Sequence, residues 1–252
     1  MSFFVAADAY DRFMGRYSRL LSPQMADLAG VAAGQRALDV GCGPGALTAE
    51  LVMRLGPQAV AAVDPSKPFV AAAQDRHPGV DVRQAAAEDL PFPDGGFDAA
   101  LAQLVVHFMA DPVAGLTEMR RVTKAGGVVV ACVWDHAGGK GPPGAFWRAA
   151  HELDPGLHDE GDLPGAREGH LAQLFTDAGF TDVESTSLIA ELEHATFEDW
   201  WEPFTEGVGP AGAHVASLDS DAREELKERC RALLPEAPFR LTTVAWAAAG
   251  RA

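Results

Sequence analysis

Glycines at positions 41, 43 and 45, separated only by Cys42 and Pro44, follow directly on the apolar run Ala37-Leu38-Asp39-Val40. Glycine adopts backbone conformations closed to other residues and lets the chain approach a ligand at distances a Cβ forbids. The apolar run before it reads as a buried parallel strand, and the spacing predicts a helix over 46–55. Strand, tight glycine turn and helix in that order place a nucleotide pocket at the carboxyl edge of an open α/β sheet.

The rest of the chain repeats this rhythm. Strands are expected over 36–40, 59–63, 80–84, 97–102, 128–133, 181–188 and 239–249. Helices are expected from Pro23 to Val31 behind a Ser22 cap, from Lys67 to Arg76 behind Ser66, and from Pro112 to Val122 behind Asp111. Further helices are expected over 168–178, over 197–206 behind Thr196, and over 222–234 behind Ser220. Residues 138–144, rich in glycine and proline, read as a flexible loop. Strands alternating with helices imply right-handed crossovers and a doubly wound sheet. At 252 residues the chain forms one core with an elaboration. Residues 1–135 are expected to hold the N-terminal helices and the cofactor-binding core, and 136–252 the last strands with a helical cap inserted among them.

The formal net charge is −16, and it sits in one place: residues 151–236 hold 21 Asp+Glu against 5 Lys+Arg, while the rest balances. Such a chain, with no basic stripe, is a poor partner for nucleic acid or anionic membranes. The acidic segment reads as a solvated face, or as a mouth that favours cationic and neutral substrates. Cys42, Cys132 and Cys230 lack paired spacing, so neither a disulfide framework nor a metal site is expected. No apolar run reaches the ~20 residues of a membrane span, and Met1-Ser2-Phe3-Phe4-Val5 lacks the basic and apolar regions of a signal peptide. A cytoplasmic location is expected.

The dinucleotide fingerprint wants G-x-G-x-x-G with its third glycine inside the helix, whereas here the glycines alternate. Asp39, two residues before the first of them, would repel a pyrophosphate and attract a cation. This pattern, with Asp64 at the end of the second strand, Ala85-Ala86-Ala87-Glu88-Asp89-Leu90-Pro91-Phe92, Phe97-Asp98 through His107 to Asp111-Pro112, and Arg121-Val122-Thr123-Lys124-Ala125-Gly126-Gly127, resembles the class I S-adenosylmethionine-dependent methyltransferases. Within them it is similar to the UbiE-like small-molecule group, whose leader also looks like Tyr10-Asp11 and Met14-Gly15-Arg16.

The resemblance implies a three-layer, doubly wound Rossmann-like methyltransferase fold, with a mostly parallel seven-stranded sheet whose last strand is antiparallel. It also implies S-adenosylmethionine as cofactor, S-adenosylhomocysteine as product and a small-molecule substrate. By the same carry-over Gly41, Cys42, Gly43 and Gly45 pack on the methionyl and ribose parts, and Asp39 orients the amino end. Asp64, followed by Pro65, takes the two ribose hydroxyls; Asp64-Pro65-Ser66 also reads as a turn and helix cap. Ala86 replaces the family's adenine-reading Asp, which shifts that task to Ala87 and Glu88 or Asp89. The backbone at Ala102 and Gln103 faces the methionyl group, and Tyr10 and Arg16 reach its carboxylate.

An activated methyl donor needs chiefly an aligned acceptor. Where a proton must leave, His107 and His136, just beyond strands four and five, are the candidate bases. His107 among Val106, Phe108 and Met109 also reads as a packed structural residue. Trp134, Trp147, Trp200, Trp201 and Phe204 are the candidate substrate-pocket aromatics, and core packing is the competing reading. Trp200 and Trp201, adjacent on a helix, are not expected to face inward together. A catalytically silent cofactor-binding or partner-binding protein and a nicotinamide-dependent oxidoreductase are the alternative functions.

Overall fold

The computed structural model describes residues 7–252. Its strands are β1 (Ala37–Val40), β2 (Val60–Asp64), β3 (Asp81–Gln84), β4 (Phe97–Gln103), β5 (Thr123–Trp134), β6 (Thr181–His194) and β7 (Phe239–Arg251). They form one sheet in the order β3-β2-β1-β4-β5-β7-β6. The first five run parallel, and β7 is antiparallel to both neighbours. The chain winds outward from β1 to β3, then returns to lay β4 beside β1. That reversal opens a crevice at the carboxyl ends of these strands, where such sheets bind ligands.

Ten α-helices accompany the strands among the described residues: α1 (Ala7–Tyr10), α2 (Arg16–Leu28), α3 (Ala46–Leu55), α4 (Lys67–Arg76), α5 (Pro112–Val122), α6 (Gly144–Leu153), α7 (His170–Asp177), α8 (Phe197–Trp201), α9 (Gly209–Ser217) and α10 (Ser220–Leu233). Successive strand residues point to opposite faces, and both faces are covered. Leu38, Val40, Ala61, Val63, Val129 and Ala131 meet Leu116 and Met119 of α5 and Leu171 and Phe175 of α7. Ala37, Val60, Leu101, Val130 and Cys132 meet Leu21 and Met25 of α2 and Leu47 and Leu51 of α3. A third core joins Phe13 of the N-terminal segment to Phe146 of α6 and to Phe197, Trp200, Trp201, Phe204, Val208 and Leu226. This is the cap.

Several boundaries differ from the sequence expectation. Ser22 does not start a helix: α2 begins at Arg16 and carries Pro23 inside it, with Ser22 Oγ donating to Ser18 O at 2.8 Å. Burial of Tyr17, Ser18, Leu21, Ser22, Met25 and Ala26 along one face holds the helix together across the proline. Strand β5 starts at Thr123, so the Gly126-Gly127 pair lies within the strand rather than before it. The glycine-rich stretch 138–144 runs straight into α6, whose Phe146, Trp147, Ala149 and Ala150 are buried. Helix α9 was not foreseen, and the cap of α10 is Asp219, whose side chain accepts from Ala222 N at 2.9 Å, rather than Ser220. Strand β6 continues to His194, paired with β7 throughout its second half. No helix among the described residues is long and apolar enough to cross a membrane.

Candidate active site

The glycine turn sits between β1 and α3, as its residues require. Gly41, Gly43 and Gly45 have φ of +71°, +54° and +101°, values in which a side chain is strained. Gly41 N and Cys42 N donate to Val63 O at 2.8 and 2.9 Å, fastening the turn to β2. Asp64, at the tip of β2, closes it from the other side: Oδ2 accepts from Gly43 N at 2.9 Å and Oδ1 from Ser66 N at 2.7 Å. A Cβ on Gly41 would run into the Val105 side chain. The absence of a side chain there is therefore needed to bring the chain after β4 against the turn.

Between these segments lies a cleft of about 430 Å³. Its walls include the predicted residues Tyr10, Gly41, Gly43, Asp64, Pro65, Ala87, Glu88, Gln103 and His107, together with Ala86 and Phe69. Tyr10 packs edge-on to Phe69, ring centres 5.3 Å apart, and burial first of all, with Asp64, Asp11 and Asp39 nearby, pushes its phenol up to about 12. Gln103 is held by Ser18 and Ser22: Nε2 donates to Ser18 O at 3.1 Å, and Oε1 shares the Ser22 hydroxyl hydrogen with Ser18 O, at 3.1 Å from Oγ. Glu88 Oε1 accepts from Ala110 N at 2.8 Å and Asp111 N at 3.2 Å, tying the loop after β3 to the loop after β4.

Five of the predicted cofactor residues do not line the cleft: Cys42, Gly45, Ala102, Arg16 and, beneath the turn, Asp39. Cys42 packs against Ala62, Val70, Ala73 and Val82, behind the turn. Gly45 faces His77, whose Nε2 lies 3.0 Å from Gly45 O. Ala102 is fully buried in the sheet. Arg16 grips Asp199 with two 3.0 Å bonds from its Nη atoms, which joins α2 to the cap. It engages a carboxylate, but one of the chain's own.

Asp39 lies beneath the turn, 1% exposed. Its Oδ2 accepts from Thr48 Oγ1 of α3 at 2.6 Å, while Oδ1, also buried, has no hydrogen-bond partner. Burial pushes its carboxyl up to about 7, against the pull of the Thr48 bond. Asp64 is raised as well, by burial, in opposition to its bonds from Ser66 and Gly43. Two carboxyls thus sit at and below the floor of one cleft.

His107 belongs to two spaces at once. It lines the cleft and also a small cavity of about 50 Å³ under the cap, shared with Tyr10, Phe13, Trp134, His136 and Glu160. The rings of His107 and His136 are 5.7 Å apart, and His136 Nδ1 lies 3.9 Å from Glu160 Oε2. The same Glu160 oxygen accepts from Trp147 Nε1 at 2.9 Å. Burial lowers His107 well below the usual imidazole value and His136 to about 4, and raises Glu160 to about 7. Both histidines therefore stand neutral at physiological pH.

The structure brings Trp134 to this cavity and Trp147 to its edge through Glu160, but not the remaining aromatics. Trp200 and Trp201 are 2% and 4% exposed, so neither sits at an opening. Phe204 stacks on Phe146 at 4.8 Å and meets Phe13 edge-on at 4.8 Å. Trp201 is layered over Phe197, and Trp200 against Phe204. Because α8 is enclosed on several sides by α6, α9 and the N-terminal segment, adjacent residues are buried together.

Two contributors escaped sequence reasoning. Leu104 borders both spaces with φ of +61°; strained non-glycine residues gather at ligand sites, yet nothing in Gln103-Leu104-Val105 signals it. Glu160 sits inside the acidic segment, where it looks like one solvated charge among many. Its neighbours, not its sequence context, distinguish it.

These features define a class: an open α/β protein with a ligand cleft at its topological switch point and a helical cap above it. Residues 38–131 match the family model described as a methyltransferase domain. The chain is 35% identical over 125 residues to a malonyl-[acyl-carrier protein] O-methyltransferase of Erwinia billingiae, covering 50% of this chain and 49% of the relative. It is 29% identical over 177 residues to a demethylmenaquinone methyltransferase of Desulfitobacterium hafniense, covering 62% and 69%. It spans about half the length of the first curated relatives it matches. The crystal structure of the YcgJ protein from Bacillus subtilis superposes with a TM-score of 0.59 at 18% identity, over 91% of this chain and 97% of that one. The fold is thus the Rossmann-like methyltransferase fold, with β7 as the inserted antiparallel strand.

Proposed function

We propose that this chain is an S-adenosylmethionine-dependent methyltransferase that acts on a small molecule, holding the donor in the cleft of Gly41, Gly43 and Asp64 and taking the acceptor's reacting group beside His107. The observation that carries the reading is the pair of buried carboxyls, Asp39 and Asp64, set around a glycine cradle without Cβ atoms. A pocket built this way repels pyrophosphate and favours a ligand that is both cationic and ribose-bearing. The bound cofactor supplies a methyl group on a positively charged sulfur.

The donor set fits that group. Asp64 keeps lone pairs for hydroxyl donors beyond its two backbone bonds, since a carboxylate offers about four acceptor positions. Asp39, with one buried, unpartnered oxygen, contributes a field beneath the methionyl end. Phe69 and Pro65 offer apolar walls to the adenine. With Ala86 in the cleft wall, the Ala87 backbone and Glu88 take over recognition of the base edge. Arg16 is already paired with Asp199, so Tyr10 is the leader residue left to meet the donor.

His107 stands where donor and acceptor spaces meet, which makes it the group next to the transferred methyl. Neutral imidazole accepts a hydrogen bond from an acceptor hydroxyl or amine and orients its lone pair, and burial keeps it in that state. His136 supports the same position. Alignment and exclusion of water then supply most of the rate. Turnover of a panel of phenols, amines and carbon acids, read as S-adenosylhomocysteine released, tests the reading. Cofactor binding with no product from any class would leave a silent binder.

A further inference from the structure

We infer that His107, His136 and Glu160 form a binding site for one first-row divalent metal ion of the zinc or cobalt type, at the boundary of the cleft and the cap cavity. The three residues come from different parts of the chain: the turn after β4, the turn after β5 and the segment between α6 and α7. One ligand atom from each lies within 4.8 Å of the other two, and all three side chains are buried. Tetrahedral ligands at ~2.1 Å from an ion are ~3.4 Å apart, so small rotamer adjustments close the set.

The polar inventory of the site points the same way. His107 Nδ1 and His136 Nε2 are buried and without a hydrogen-bond partner. Buried polar atoms are ordinarily satisfied, and exceptions signal an unaccounted ligand or ion. Two imidazoles and one carboxylate form a donor set suited to zinc and its neighbours rather than to magnesium or calcium, which prefer all-oxygen shells. Glu160 Oε2 accepts from the indole N–H of Trp147 at 2.9 Å, the kind of outer hydrogen bond that orients metal-binding carboxylates.

Three protein donors leave a coordination position open, and the small cavity shared with Tyr10 and Trp134 supplies room for it. A divalent ion on one carboxylate leaves one net positive charge, which favours an oxygen ligand, water or an ionised hydroxyl. If the methyl-transfer reading holds, that ligand is the acceptor's hydroxyl: with the His107 lone pair on the ion, the ion lowers the hydroxyl's pKa, its proton passes to solvent, and the oxygen takes the methyl while the donor leaves as the neutral thioether S-adenosylhomocysteine. This assignment of a hydroxyl acceptor rests on that reading; the metal site itself does not.

The test is titration of the untagged, chelator-treated full chain with Co²⁺, followed by visible absorption and by displacement with Zn²⁺. One equivalent is expected to bind, with the visible absorption of cobalt in a nitrogen–oxygen shell of low coordination number, and to raise Tm. Glu160→Gln and His136→Gln are each expected to weaken Co²⁺ binding at least a hundredfold. Trp147→Phe, which keeps the donors and the fold, is expected to weaken it about tenfold. Folded wild-type chain with no Co²⁺ spectrum would overturn the site, as would equal affinity in the wild type and Trp147→Phe together with either donor variant. S-adenosylmethionine binding measured on the same metal-free samples keeps the two questions apart.

Discussion

Replacing Asp39 with Asn should stabilise the cofactor-free protein, and by an amount that depends on pH. In the folded chain burial holds the Asp39 carboxyl to about 7, while its ordinary value is 3.8. Below pH 3.8 both states are protonated and Asp39 behaves much like Asn. As pH rises the unfolded chain loses this proton first, and the folded state pays to keep a neutral carboxyl. Stability is lost at 1.36 kcal/mol per pH unit until the folded group also ionises near 7. Across roughly three pH units the difference reaches about 4 kcal/mol. Asn reproduces the protonated side chain and can still accept from Thr48 Oγ1, so the variant should match the wild type near pH 4, gain about 1–2 kcal/mol at pH 5 and about 4 kcal/mol at pH 8. Urea unfolding of both proteins at the three pH values measures this directly. A stability difference that stays constant with pH would refute the argument that Asp39 is held protonated by burial. The same variant should bind a cationic cofactor more weakly, so stability and binding move in opposite directions.

Other expectations follow from the same geometry. Asp64→Ala leaves Gly43 N and Ser66 N without their acceptor and removes the ribose contact. It should reduce cofactor affinity by at least tenfold and cost about 1–3 kcal/mol of stability, both checked by calorimetry and thermal unfolding. Arg16→Ala should leave cofactor affinity within about twofold and loosen the cap by roughly 1 kcal/mol, because its partner is the half-exposed Asp199; a tenfold loss of affinity would return Arg16 to the cofactor site. Phe204→Ala opens a cavity in the cap core beside Phe146 and Phe13. It should cost about 3–5 kcal/mol, with hydrogen exchange rising first in α8 and α9 rather than in the central strands.

The sequence carried the fold further than it carried the site. Alternating strands and helices, the Asp111-Pro112 cap and the Gly41–Gly45 turn are local signals, and each appears in the structure where the local chemistry demands it. Pro23 misled because tertiary burial of Leu21 and Met25 outweighs the cost of a proline in the helix. Helix α6 was hidden by the glycines before it, though Phe146, Trp147, Ala149 and Ala150 carried its apolar face. Among the expected site residues, Gly41, Gly43, Asp64 and Gln103 meet at one cleft because their positions follow from the sheet, while Cys42, Gly45 and Ala102, on the same turn and strand, do not line it. Arg16 and Trp200 were not legible, since a residue type suited to a ligand is equally suited to Asp199 or to a buried core. Nor was Glu160: only the three-dimensional meeting of β4, β5 and the cap places it beside His136.

The claim on which the rest depends is that the cleft between Gly41, Asp64 and Glu88 holds S-adenosylmethionine. Isothermal titration of the full chain at pH 8, where Asp39 is ionised in the folded state, tests it most directly. The account predicts one saturable site per chain, with a Kd between about 1 μM and 1 mM as is usual for enzyme ligands, and competition by S-adenosylhomocysteine. No saturable heat with millimolar cofactor would contradict it.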